Sequence, residues 1–500
     1  MAKAIMVQGT TSNAGKSLLT AALCRIFHQD GYRVAPFKAQ NMALNSFITA
    51  NGCEMGRAQV MQAEAACVEP DVRMNPILLK PTSDSGSQLI VNGKALGNYS
   101  AADYYKRKKE LRPLVKEAFD SLSLAYDIIV IEGAGSPAEI NLKQDDLVNM
   151  GMAKMAGAPV LLVGDIDRGG VFAALYGTVM LVEPEEQALI RGLIINKFRG
   201  DVEILRPGLT MLEGLVHKPV LGVIPYTQLD IDDEDSLSER LCAGYVPQLV
   251  TIAVPRLPRL SNFTDFNALS RIAGVGVRYI SRPDELMDAD MVILPGSKNT
   301  MDDLKWLRET GLEAQILKLS AQSVPVFGIC GGYQMMGATL TDPHGTEGGG
   351  EMRGMGLLPV HTVFEPEKRT VQTHGRLEPV DGAFAALSGL AVTGYEIHMG
   401  RSVRKEGGQA LLTMEKDGGR MLDGCQSGNC YGTYLHGIFD NEAVARVIAE
   451  ALFARKGLPA GHLEVFDAEA YKQAQYDKLA SVVRQSVDMR KIYEILEAGA

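Results

Sequence analysis

The 500 residues, 46% of them hydrophobic, suffice for two or three cored domains rather than one. A formal net charge of −10 with no dense basic run excludes nucleic acid and anionic membranes as main partners, so an acidic substrate must meet local positive charge. Seven cysteines, odd in number and without paired metal spacing, argue against a disulfide scaffold or zinc site and point to the reducing cytoplasm. The Met1 to Val7 stretch is too short for a signal sequence, and no apolar run reaches membrane-spanning length.

Ala4 to Gln8 reads as a buried strand, followed by Gly9-Thr10-Thr11-Ser12-Asn13-Ala14-Gly15-Lys16-Ser17 and an apolar-periodic helix from Leu18 to Phe27. Strand, Gly-Lys-Ser and helix together form the context of a phosphate-binding loop. Backbone N–H groups along Thr10, Asn13, Ala14 and Gly15 would cradle the phosphates of ATP, with Lys16 neutralising charge and the Ser17 hydroxyl holding Mg²⁺. Five residues rather than four separate Gly9 from Gly15, a longer loop than the strict pattern.

Tyr32 to Phe37 is predicted as the second strand, running into a loop over 38–46. Loops after parallel strands line the binding crevice, which makes Lys38, Gln40, Asn41 and Asn45 candidate ligands for phosphate or substrate; a solvated polar loop is the plainer reading. Glu54 to Gln59 leads a helix, where Arg57 either holds a carboxylate or pairs with Glu54 on the same face, the pair being favoured. Asp127 to Ile131 is a core strand ending at Glu132, the expected second anchor for the metal of the nucleotide. Asp145 or Asp146 caps the next helix while the other points into the crevice. Beyond the strand Ala158 to Val163, Leu193 to Ile195 leads to Asn196, placed at a strand end to read adenine. After the strand Pro219 to Ile224, an acidic run from Asp230 to Ser236 breaks the alternation. The expected division is a nucleotide domain over 1–229, a linker over 230–248, a second α/β domain over 249–445 and a helical segment over 446–500.

In the second domain the strand Leu249 to Val254 is followed by Leu260 to Asn267, where Ser261 or Asn262 is expected only to cap a helix. Met291 to Leu294 ends at Pro295-Gly296, and the buried strand up to Ile329 ends at Cys330 among Gly328, Gly331 and Gly332. A lone cysteine on a glycine-flanked elbow between strand and helix is a nucleophile's position, and a helix N-terminus and an imidazole would both favour its thiolate. The imidazole is supplied by His436 in Gly432-Thr433-Tyr434-Leu435-His436-Gly437. His398, on the alternating stretch Gly394 to Gly400, reads as structural.

Gly328, Cys330, Gly332 and Gln334, with His436, resemble the class I glutamine amidotransferases. The resemblance implies attack of Cys330 on the glutamine amide, proton transfer through His436, and an oxyanion held by N–H groups of Gly331 and Gly296. Most members carry a glutamate two residues after the histidine, whereas this chain has Ile438, so the third member is missing or comes from elsewhere. The long phosphate loop is similar to that of dethiobiotin synthetase-like enzymes, and the whole implies a P-loop parallel-sheet domain plus an amidotransferase-like α/β domain. Phe37 to Ser46, Glu54 to Gln59, Met74 to Pro81 and Gly394 to Gly400 resemble the cobyrinate-type amidotransferases, in the branch that acts on the a,c-diamide. That branch implies amidation of the b, d, e and g carboxylates of adenosylcobyrinic acid a,c-diamide with ATP and glutamine, and makes Asn41, Arg57 and Asp146 corrinoid-binding candidates. The alternatives are amidation of the a and c carboxylates, or a P-loop switch with an inactive amidase domain.

Overall fold

The computed structural model describes residues 1–82, 86–231, 247–416, 419–459 and 468–500. Two compact units interleave along the chain: Met1–Met42, Met55–Glu234 and Glu469–Ala500 form the first, Ala43–Glu54 and Asp235–Ala468 the second. Most of the expected 230–248 linker, residues 232–246, lies outside the described residues.

The first unit is built on a six-stranded sheet in the spatial order Val220–Pro225, Ile190–Phe198, Val160–Asp165, Lys3–Gly9, Ile128–Glu132, Val34–Phe37, parallel throughout. Its strands read as continuous apolar runs because both faces are covered, and Ile5, Val7, Ile128, Val130, Leu161 and Ile194 are fully buried. The helix Lys16–Gln29 packs on one face through Leu23, Ile26 and Phe27. The helices Ala468–Ser486 and Met489–Ala498 join the same core through Tyr476, Val483, Ile492 and Leu496, and Val487 bridges to Gly222 of the edge strand. Stretch 38–46, expected as loop, instead contributes Gln40–Met42 to a small four-stranded sheet and begins another short strand, Ser46–Ile48. The Gln40–Met42 backbone groups find ladder partners in Ile77–Pro81, which a polar sequence alone does not reveal.

In the second unit the central sheet runs Val275–Ile280, Val250–Pro255, Met291–Leu294, Val326–Ile329, Cys430–Thr433, Cys425–Ser427, parallel except for the last pair. Gly296, Cys330 and His436 thus follow the carboxyl ends of three neighbouring strands, where open α/β sheets place their chemistry. A further sheet is dominated by the long antiparallel pair Val360–Leu377 and Ala391–Arg404, of which only Gly394 to Gly400 was evident from alternation. Among the described residues no helix is long and apolar enough to cross a membrane.

Candidate functional site

In the first unit the phosphate loop leaves the central strand Lys3–Gly9 and enters the helix at Lys16. Asn13 and Gly15 hold positive φ (60° and 98°), which curls the loop back on itself. The Lys16 ammonium donates to the carbonyls of Thr11 and Gly135, each at 3.0 Å. Glu132, 2% exposed, is the hub: one oxygen accepts from Ser17 Oγ at 2.9 Å and pairs with Lys38 Nζ at 2.8 Å, and the other accepts from Gln62 at 2.5 Å. Two hard oxygen donors side by side at the mouth of a phosphate loop, Ser17 and Glu132, fit an octahedral cation that keeps its remaining positions for water and phosphate. Asn196 does not stand clear at its strand end: its amide donates to the Ala14 carbonyl at 2.9 Å and lies where a Gly15 side chain would be, fastening the loop.

The other candidates in this unit differ in placement. Asn41 donates to Gln59 at 3.1 Å, one helical turn from Gln62. Both oxygens of Asp146 serve backbone N–H groups, of Val148 (2.8 Å), Asn149 (3.0 Å) and Gly151 (2.9 Å), so of the two aspartates it is the one that braces the turn into the helix Met150–Ala156, whose cap position is Asn149. Glu54, which pairs with Lys368, lies on the short strand Glu54–Gly56, and the helix opens at Arg57, which meets Glu64 two turns on, at 3.6 Å.

In the second unit Cys330 adopts φ 51°, ψ −107° between the strand Val326–Ile329 and the helix Gly331–Met335, a strained elbow of the kind that presents a nucleophile. The glycines around it answer to contacts: a Cβ on Gly328 would come within 2.7 Å of the Tyr333 amide, and one on Gly332 within 2.0 Å of the Leu294 carbonyl oxygen. Gly332→Ala should therefore cost at least about 3 kcal/mol, read as a fall in denaturation midpoint, since the obstacle is strand backbone. Gln334 holds the elbow from below, accepting from Thr300 Oγ1 at 2.9 Å and donating to Tyr434 Oη at 3.1 Å. Gly331 is the first helical residue, so its N–H has no intrahelical acceptor. It packs on the backbone of Ser297, and Gly296 in turn lies against the His436 ring.

His436 is 1% exposed and lies beside Cys330, close enough for the sulfur to help raise its pKa, while the Cys330 thiol donates to the Ile397 carbonyl at 3.5 Å. Its Nδ1 is 2.7 Å from Asp265 Oδ2, while Asp265 Oδ1 accepts from Gly437 N–H at 3.2 Å. Burial alone would lower the imidazole pKa, but the charge and hydrogen bond of Asp265, joined by Cys330, outweigh it and push the value up to about 10. Asp265 thus occupies the role left open by Ile438, from a 3-10 turn, Phe263–Phe266, far upstream in sequence. Residues 260–267 were assigned no chemistry from sequence, and no local signal there marks a catalytic carboxylate. Asn262 does not cap the turn either; with φ 51° its side chain turns away to donate to Tyr395 Oη at 2.9 Å. His398, read as structural, stacks on Tyr434 with ring centroids 3.7 Å apart and bonds the Gly400 carbonyl through Nδ1 at 2.7 Å.

An elbow cysteine with a carboxylate-anchored histidine is the apparatus of the triad glutamine amidotransferases, here joined in one chain to a P-loop nucleotide-binding fold. Comparison with known families agrees: residues 251–444 match the CobB/CobQ-like glutamine amidotransferase domain, and residues 5–237 the CobQ/CobB/MinD/ParA nucleotide binding domain. The chain belongs to the cobyric acid synthase family, and is accordingly a glutamine-hydrolysing ligase of cobalamin biosynthesis. It is 60% identical over 503 residues to the cobyric acid synthase of Ruminiclostridium cellulolyticum, covering 100% of this chain and 98% of the relative. It is 58% identical to that of Lachnoclostridium phytofermentans (100% of each chain) and 51% to that of Alkaliphilus metalliredigens (99% and 100%).

Proposed function

We propose that the chain converts adenosylcobyrinic acid a,c-diamide to adenosylcobyric acid by amidating the b, d, e and g carboxylates in turn, each with one ATP and one glutamine. The observation that carries this reading is the Cys330–His436–Asp265 relay in a chain whose other unit sets Lys16, Lys38, Ser17 and Glu132 around a phosphate loop.

A carboxylate has no leaving group for an amine to displace. Transfer of the γ-phosphoryl of ATP to a carboxylate oxygen gives an acyl phosphate and ADP, and attack by ammonia on the acyl carbon then expels phosphate and leaves the amide. Asn13, Ala14 and Gly15 cradle the phosphates through backbone N–H groups, whereas the Thr10 N–H, expected to join them, continues the sheet by donating to the Val163 carbonyl at 2.9 Å; Lys16 and Lys38 offset the charge of the transferring group. Mg²⁺ held by Ser17 and Glu132 would supply a further neutralising charge at the phosphates. Asn196 secures the loop near the adenine, and Asn41, Arg57 and Asp146 border the corrinoid, Asp146 by bracing the turn before the helix Met150–Ala156. At the other centre the Cys330 thiolate bonds to the glutamine side-chain carbonyl carbon, and Gly331 and Gly296 N–H groups stabilise the oxyanion. Collapse breaks the carbon–nitrogen bond as His436 gives its proton to the departing ammonia, and water then cleaves the thioester to glutamate.

Incubation with adenosylcobyrinic acid a,c-diamide, Mg-ATP and glutamine should yield four successive amide additions by mass spectrometry, ending at the hexaamide. Failure of both glutamine and ammonia to support any addition, in protein that binds ATP, would sink the substrate assignment.

A further inference from the structure

Residues Ala43–Glu54 descend from the first unit by sequence yet are built into the second. Their anchors are specific. Gln372 donates to the Ile48 carbonyl at 2.7 Å, Thr370 Oγ1 to the Gly52 carbonyl at 3.0 Å, and Lys368 pairs with Glu54. The near end reaches the glutaminase centre through one ring. Tyr395 stacks on His436 with centroids 5.3 Å apart and planes 15° from parallel, and the two residues exchange backbone hydrogen bonds of 2.9 and 3.1 Å. Phe47 meets Tyr395 edge-on with centroids 5.6 Å apart, and the Tyr395 hydroxyl donates to the Ser46 carbonyl at 3.3 Å. Asn262, on the turn that carries Asp265, ties both by donating to Tyr395 Oη and accepting from Ser46 N–H at 3.4 Å. Within the first unit, the chain on either side of this arm converges on one carboxylate, with Lys38 before it and Gln62 after it bound to Glu132 at 2.8 and 2.5 Å.

We propose that the Ala43–Glu54 arm is a positioning element for His436, which makes glutamine hydrolysis respond to ATP and corrinoid bound by the first unit. The proposal rests on the reading of Cys330 as a glutaminase nucleophile. Nucleotide and metal arriving at Glu132 must compete with Lys38 and Gln62 for its oxygens, and the arm is the covalent continuation of both. A shift of the arm moves Phe47 and Ser46 against Tyr395, and misplacement of a catalytic group by about 1 Å can change a rate by about 10²-fold.

Full-length wild-type protein, Phe47→Ala and Tyr395→Phe are assayed for glutamate release with and without Mg-ATP plus adenosylcobyrinic acid a,c-diamide, and for amidation with free ammonia. Wild type should be stimulated about ten-fold or more. Phe47→Ala should lose the stimulation through kcat, with KM for glutamine and ammonia-supported amidation unchanged. Tyr395→Phe, which keeps the ring and removes one hydroxyl, should lose part of it, and serves if Phe47→Ala does not fold. Stimulation equal to wild type in the folded variants, or none in wild type, overturns the proposal. Glutamate release that persists in Cys330→Ala would instead overturn the underlying glutaminase reading.

Discussion

Cys330→Ala is expected to abolish amidation with glutamine while amidation with ammonia continues at the wild-type rate. The sulfur is the only atom removed, and alanine keeps the Cβ, so the elbow at φ 51° carries the same backbone strain as before. Without the sulfur no thioester forms, and glutamate release should fall by about 10⁴-fold or more, as it does when a covalent nucleophile is deleted from a hydrolytic triad. Glutamate assay and mass spectrometry of the corrinoid, run on one sample with each nitrogen source, check both halves of the expectation. Loss of ammonia-supported amidation as well would mean that the two chemistries share a site.

Asp265→Asn should cost the glutaminase about 10² to 10⁴-fold in kcat, because an amide neither fixes the imidazole tautomer nor stabilises its charge. It should also leave a mark on the pH profile. His436 is raised from an ordinary 6.5 to about 10, so the imidazolium that protonates departing ammonia persists until pH climbs through that value. Removing the carboxylate lowers the pKa, and the alkaline limb of kcat should move to lower pH. The same group makes a linked contribution to folding: with its folded pKa raised above the unfolded one, it stabilises fully below about pH 6.5 and progressively less as pH rises towards 10. Asp265→Asn should therefore lose more stability at pH 6 than at pH 10, a comparison that thermal unfolding at the two pH values makes directly. An unchanged alkaline limb in the folded variant would exclude Asp265 as the partner of His436.

The elbow was legible in the sequence because its requirements are local. Gly328 and Gly332 are glycine because backbone and side chains stand within 2.0 to 2.7 Å of where a Cβ would be, and Gln334 is fixed one turn on by Thr300 and Tyr434. The phosphate loop is legible for the same reason, since Lys16 and Ser17 follow directly on the turn they serve. What escaped is whatever the fold brings together from distant places. Asp265 meets His436 across 171 residues, on a short turn whose sequence suits any helix start. Asn262 looked like a cap because asparagine often is one, but its side chain is drawn off by Tyr395. Glu54 and Arg57 have the spacing of one helix face, but the helix opens only at Arg57 and Glu54 belongs to the strand before it, a boundary the spacing does not reveal.

Residues 469–500 bear on how the chain matures. All six strands of the nucleotide sheet leave the ribosome before residue 231, but the apolar face around Phe27 and Leu221 waits for Tyr476, Val483 and Ile492, which emerge after the whole of the second unit. The amidotransferase unit has all its residues by 468 and so can close first, while the unit that was begun earliest is completed latest. No single cut of the gene yields two self-sufficient products: one half would retain Ala43–Glu54, which the other needs, and would lack the helices that seal its own core.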